Sequence, residues 1–148
     1  MLEEAIMSDY DRVGDFMVRN PVRAYLWQSL GLIRQIMLAN SFSYLPVSVD
    51  DGATTAWRLI SDFRLARYIR SATTEKETMG RLAQTLQQVV DSQEVELLLT
   101  ETLYQEDSIH DALQGSARLQ KGHEGLPILV LSPDDKQLIG ILTAFDPL

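Results

Sequence analysis

Two side chains near the end of this sequence have the types and spacing for ligand chemistry: Thr143 and, three positions on, Asp146. A hydroxyl both donates and accepts, whereas an ionised carboxylate only accepts. Together at the end of a strand they can cap a following helix. They can equally hydrogen-bond a sugar or a phosphate placed there. Ser61 and Arg64 repeat the spacing earlier in the chain, with a guanidinium where the carboxylate would stand. Other chemistries find little support. His110 and His123 are the only histidines, there is no cysteine, and no metal-spaced carboxylates surround them, so no metal site is expected. The sequence lacks a Gly-x-Ser-x-Gly elbow and a glycine-rich phosphate loop. No catalytic residue is assigned, and an enzyme is not expected.

The stretch Gly125 to Asp146 positions the Thr143/Asp146 pair. Leu126 to Leu131 is an almost wholly apolar run, the pattern of a strand buried on both faces. Ser132, Pro133, Asp134 and Asp135 form a turn cluster, with Pro133 suited to the first central position. A second apolar run, Leu138 to Leu142, completes a hairpin that ends at Thr143.

The pattern occurs twice. Leu45-Pro46-Val47 answers Leu126-Pro127-Ile128, Asp50-Asp51-Gly52 answers the turn, and Leu59-Ile60-Ser61 answers Ile141-Leu142-Thr143 at an offset of about 82 residues. A Leu-Pro-Val-type strand, an acidic turn and Gly-hydrophobic-x-Thr-x-x-Asp resemble the cystathionine-β-synthase (CBS) domain. Two in one chain look like a CBS pair, the Bateman module. The resemblance spans about Val13 to Arg70 and Val95 to Leu148. It implies an α+β fold: a tandem pair of CBS-type β-α-β-β-α units packed about a pseudo-two-fold axis, with an adenosine nucleotide in the cleft between them.

On that resemblance Thr143 and Asp146 hold ribose and phosphate, and Ser61 supplies the matching hydroxyl of the first unit. The first unit departs at the acidic position, where Arg64 stands, and at Arg58, which replaces the usual glycine. A carboxylate accepting from ribose hydroxyls makes charge-assisted bonds worth roughly 1.5–3 kcal/mol, so its loss costs on the order of tenfold to a hundredfold in affinity. Arginine presents only donors and suits phosphate instead. Asymmetry follows, with Thr143/Asp146 the better nucleoside pocket and Arg64 either spoiling the first site or facing phosphate, against the plainer reading of Arg64 as a solvated or salt-bridged side chain. Thr100, Leu126 and Pro127 stand where the family contributes pocket walls, though a Leu-Pro pair is equally core packing. Arg118, Lys121 and His123 could add positive charge near the second hairpin.

The rest of the chain reads as the frame. Residues 1–12 form a short helix or a loose arm, and Asn20-Pro21 sets extended backbone. A short strand over Val22 to Leu26 precedes a helix from Trp27 to Ala39, with Leu30, Ile33 and Met37 on its apolar face. Ser43 to Val49 and Ala56 to Ser61 are the first hairpin, followed by a helix over Phe63 to Ile69 that buries Leu65, Tyr68 and Ile69. Thr74 and Glu77 make a capping box for a connector helix whose apolar stripe is Met79, Leu82, Leu86 and Val89. In the second unit, Leu103-Tyr104 is the short strand, and Ser108 and Asp111 cap a helix to about Leu119. The expected division is 1–70, first unit with its arm; 71–94, connector helix; and 95–148, second unit. The closing helix of that unit is missing or truncated, since only Pro147 and Leu148 follow Asp146.

Composition bounds the partners. The 148 residues are 45% hydrophobic and 23% charged, ordinary for a globular chain. The amino terminus has no signal-peptide pattern, and no run approaches the ~20 apolar residues of a membrane span. A cytoplasmic protein without a membrane partner is expected. A formal charge of −8 argues against a nucleic-acid footprint. It does not argue against a small anion, because charges are screened over roughly 8 Å at physiological salt. The resemblance implies a regulatory module taking AMP, ADP, ATP or a related adenosyl ligand such as S-adenosylmethionine, with no obligatory cofactor. Its partners would be a regulated protein and a second copy docked through helices. The alternative is a structural homodimerisation module that binds no nucleotide.

Overall fold

The computed structural model describes residues 11–50, 55–110 and 126–142. In chain order the elements are β1 (Val18–Arg19), β2 (Ala24–Tyr25), α1 (Leu30–Asn40), β3 (Tyr44–Asp50), β4 (Thr55–Ser61), α2 (Asp62–Arg70), α3 (Glu75–Ala83), α4 (Leu86–Asp91), β5 (Thr102–Tyr104), β6 (Ile128–Leu131) and β7 (Leu138–Leu142). A 3-10 turn over Val13–Asp15 precedes β1. The fold class is α+β, as the repeated hairpins implied.

The chain divides into two compact units, residues 22–99 and residues 1–21 with 100–148. This corrects the division expected at 70 and 95. The unit formed by residues 22–99 carries the sheet β2-β3-β4, with β2 parallel to β3 and β3 antiparallel to β4. Its order β2-α1-β3-β4-α2 is the strand, helix, strand, strand, helix expected of one repeat. The other unit carries the sheet β1-β7-β6-β5.

Strand exchange between the repeats is the physical reason for the shifted boundaries. β1 falls within the stretch assigned to the first repeat, yet it pairs antiparallel with β7 of the second, placing Val18 opposite Ile141. Conversely, Leu98 falls within the stretch assigned to the second repeat and bridges Leu59 of β4 through reciprocal backbone bonds of 2.8 and 2.9 Å. Each last strand thus satisfies backbone groups on its open edge with chain from outside its own repeat.

The helices form where the pattern placed them, with local caps deciding their ends. Ser29 accepts from the Leu32 amide at 3.1 Å and starts α1. Ser41, with φ of 57°, stops it in the left-handed region. The connector is two helices rather than one. Gln84 is extended, and Thr85 opens α4 with a full capping box to Gln88. The break lets the Leu86 and Gln87 amides bond the carbonyls of Gln28 and Leu26 at 2.9 and 2.8 Å. Of the four-residue stripe, Leu86 and Val89 are buried, Leu82 packs on the core, and Met79 is 64% exposed.

The core of residues 22–99 gathers Leu30, Ile33 and Met37 of α1, Leu45 and Val47 of β3, Ile60 of β4, and Leu65 and Ile69 of α2. On α2 the third inward residue is Ala66, while Tyr68 is half-buried. The aromatic ring sits at the rim because its hydroxyl bonds Gln84 Oε1 at 2.6 Å. The second core joins Val13 and Met17 to Ile109, Ile128, Val130 and Leu142. β6 is buried along its whole length, as its apolar run implied.

Candidate functional site

Thr143 and Asp146 lie outside the described residues, as do residues 111–119 of the helix expected to Leu119 and the cations Arg118, Lys121 and His123. β7 runs antiparallel to β6 as far as Leu142, which stands opposite Ile128 in register.

Thr100, Leu126 and Pro127 converge in one unit. The Thr100 hydroxyl donates to the Pro127 carbonyl in a short hydrogen bond. One residue on, the Leu129 amide donates to the Glu101 carbonyl at 3.1 Å. Parallel pairing of β5 with β6 from Thr102 opposite Leu129 then follows. Pro127 is buried and Leu126 half-buried. Proline has no amide to donate, so it suits the start of a strand, where the ladder needs no donor from it. The Thr100 hydroxyl keeps acceptor capacity after this bond.

Ser61 and Arg64 are positioned by the junction of β4 with α2. Ser61 is 6% exposed and is the N-cap of α2, its Oγ accepting from the Arg64 amide at 3.3 Å. This serine is therefore a helix cap, a role expected from sequence in only one of the two strand-end pairs, Thr143 and Asp146. Arg64 Nη1 pairs with Glu96 Oε1 at 2.8 Å, the side chains being 35% and 80% exposed. The guanidinium that replaces the family's carboxylate is engaged by a carboxylate in return.

Arg64 also lines a groove of about 340 Å³ inside the unit of residues 22–99. Arg64, Arg67, Tyr68 and Ser71 form one wall of α2, and residues 93–96 form the other. The spacing of three, four and seven puts those α2 residues on one helical face. Burial and the neighbouring Glu94 charge raise the Tyr68 pKa, with Arg81 opposing. Arg81 stacks over the Tyr68 ring at 4.7 Å and donates to the Tyr68 carbonyl at 2.5 Å. Sequence reasoning missed Glu94, Glu96 and Arg67. The even spacing along α2 was visible, but the opposing wall arrives only through the turn after α4, where Gln93 takes φ of 64°.

Among the described residues, no group of three or more histidine, cysteine or acidic side chains could hold a metal ion. No described helix is long and apolar enough to cross a membrane.

No protein-family model matches the sequence, and no curated protein matches it. Solved structures do. The chain is similar to CBSX2, solved in complex with AMP, at 21% identity over 90% of each chain with a TM-score of 0.58. It is similar to a CBS domain-containing protein of unknown function from Bacillus anthracis, at 21% identity over 89% of this chain and 86% of that one, with a TM-score of 0.60. A third likeness is to the CBS domain pair of protein MJ0100, solved with 5′-methylthioadenosine and S-adenosyl-L-methionine. It has 15% identity over 91% of this chain and 90% of that one, with a TM-score of 0.57. The fold of this chain is that of a tandem CBS domain pair.

Proposed function

We infer that the chain is a regulatory ligand-binding module for an adenine nucleotide (AMP, ADP or ATP) or a related adenosyl compound. The observation that carries this reading is the shared fold. Structures with that fold and nearly full mutual coverage were solved with AMP and with 5′-methylthioadenosine and S-adenosyl-L-methionine. In this reading the ligand is held at the strand end of the second repeat. Asp146 accepts from the ribose, Thr143 donates to phosphate or sugar, and Thr100, Leu126 and Pro127 form the wall. Ser61 contributes less, because its oxygen already caps α2. Ligand binding, not catalysis, is then the activity, and the effector takes the place of a cofactor. Different affinity for two packings would bias a partner or attached protein in the cytoplasm.

Titration calorimetry with AMP, ADP, ATP and S-adenosylmethionine tests the reading. Binding that Asp146→Ala weakens about tenfold to a hundredfold supports it. Heat from none of the four, or no loss in Asp146→Ala, refutes it.

A second reading, homodimerisation through helices without nucleotide, is favoured by one observation. Leu38 on α1, Phe63 on α2 and Met79 on α3 are 60%, 70% and 64% exposed. Sedimentation at micromolar concentration decides it, since a chain that stays monomeric with and without nucleotide excludes a dimer.

A further inference from the structure

The geometry points to a second ligand site: the groove between α2 and residues 93–96 takes a small oxyanion, a phosphate-bearing group, with Glu96 as the occupant of Arg64 until the anion arrives. Three features of the unit of residues 22–99 carry this inference. The groove, at about 340 Å³, admits a pyrophosphate-sized group. Two guanidinium groups, Arg64 and Arg67, stand one helical turn apart on the same wall, where forked donors match phosphate oxygens. Their engagement differs. Arg64 is held by Glu96, whereas Arg67 lies over the Phe63 ring at 5.7 Å, a contact that leaves its N–H groups open to an acceptor.

The carboxylates present set the terms. Glu94 accepts from Ser92 Oγ at 2.7 Å and stands 3.3 Å from the Tyr68 hydroxyl oxygen, whose hydrogen goes to Gln84, so Glu94 is held beside the Tyr68 wall by Ser92. Glu96 is 80% exposed. An exposed ion pair contributes little net stability, so exchanging Glu96 for a phosphate costs little, and Glu96 regains water. The Ser71 hydroxyl, already donating to the Tyr68 carbonyl at 2.8 Å, is a neutral boundary of the groove. Arg64 therefore serves as a switched cation and Arg67 as a standing one. The overall negative charge does not oppose this, because screening confines distant carboxylates to a short reach.

Calorimetry of the full chain with inorganic pyrophosphate, AMP and adenosine tests the site. Pyrophosphate is expected to bind, about tenfold more weakly in Arg67→Gln and Arg64→Gln, and several-fold more tightly in Glu96→Gln. All three residues are at least a third exposed or lie at the rim, so unchanged thermal unfolding checks that the variants fold. Pyrophosphate binding that Arg67→Gln leaves unaltered, or no binding at all, overturns the site. Unchanged affinity in Glu96→Gln overturns the gate. AMP and pyrophosphate losing affinity together in Arg67→Gln, with adenosine unaffected, supports a nucleotide phosphate as the natural source. Loss for pyrophosphate alone supports a free phosphate compound. Heat from none of AMP, ADP, ATP and S-adenosylmethionine while pyrophosphate binds refutes the adenosyl reading and leaves this site supported.

Discussion

Replacing Gly140 by alanine tests the exchange of β1 onto the second repeat. Gly140 sits in β7 opposite Arg19, and the Met17 side chain lies across it. A Cβ there would stand 2.3 Å from Met17 Sδ, 2.8 Å from its Cγ and 3.1 Å from its Cβ. Ordinary non-bonded contacts are about 3.5–4.0 Å, so the whole methionine must swing away rather than its tip alone. Met17 is 8% exposed, and losing its burial costs about 1.5–3 kcal/mol. Alanine returns about 0.5–1 kcal/mol relative to glycine in a strand. The net expectation is a loss of about 1–2 kcal/mol, or ~2–8 °C in Tm for a chain of this length. Urea unfolding of Gly140→Ala, Met17→Ala and the double variant measures it. With Met17 already truncated, the added methyl is expected to be neutral or stabilising, giving a coupling of about 1–2 kcal/mol. Equal losses in both backgrounds would refute the packing of Met17 on Gly140 as the cause.

Three further outcomes are expected. Thr85→Ala removes the cap of α4 and is expected to cost about 0.5–2 kcal/mol in denaturant unfolding, while Thr85→Ser retains most of the stability. Ile33→Ala opens a void in the larger core and is expected to cost about 2–5 kcal/mol, against about 0.5 kcal/mol or less for Gln35→Ala on the exposed side of the same helix. Glu77 has its pKa lowered, chiefly by the Thr73 amide, then by the Thr73 hydroxyl and Arg81. A carboxyl whose folded pKa is depressed stabilises above its unfolded pKa, and that contribution disappears as pH falls through the folded value. Stability profiles of the parent and Glu77→Gln are therefore expected to converge in acid and separate at neutral pH; parallel profiles would contradict this.

Local pattern carried much of the fold. Both hairpins, the apolar face of α1 and the cap at Thr74 were legible because each depends on residues within a few positions of one another. The meeting of Thr100 with Pro127 was not legible in this way: it depends on the parallel pairing of β5 with β6, and only the family resemblance pointed to the two residues. The connector misled because its apolar spacing is continuous through Gln84 and Thr85. The helix breaks there since the amides of Leu86 and Gln87 find carbonyls at Gln28 and Leu26, distant in sequence.

Sequence alone determined that two copies of one strand-helix-strand-strand pattern exist and that the first carries Arg64 in place of a carboxylate, because repetition and residue chemistry need no third dimension. Tertiary structure decided which repeat each preceding segment completes and what Arg64 does. β1 joins β7, Leu98 joins Leu59, and Glu96 reaches Arg64 across 32 positions. Such pairings satisfy open strand edges and charges through space, and nothing in the local spacing of either partner encodes the distance between them.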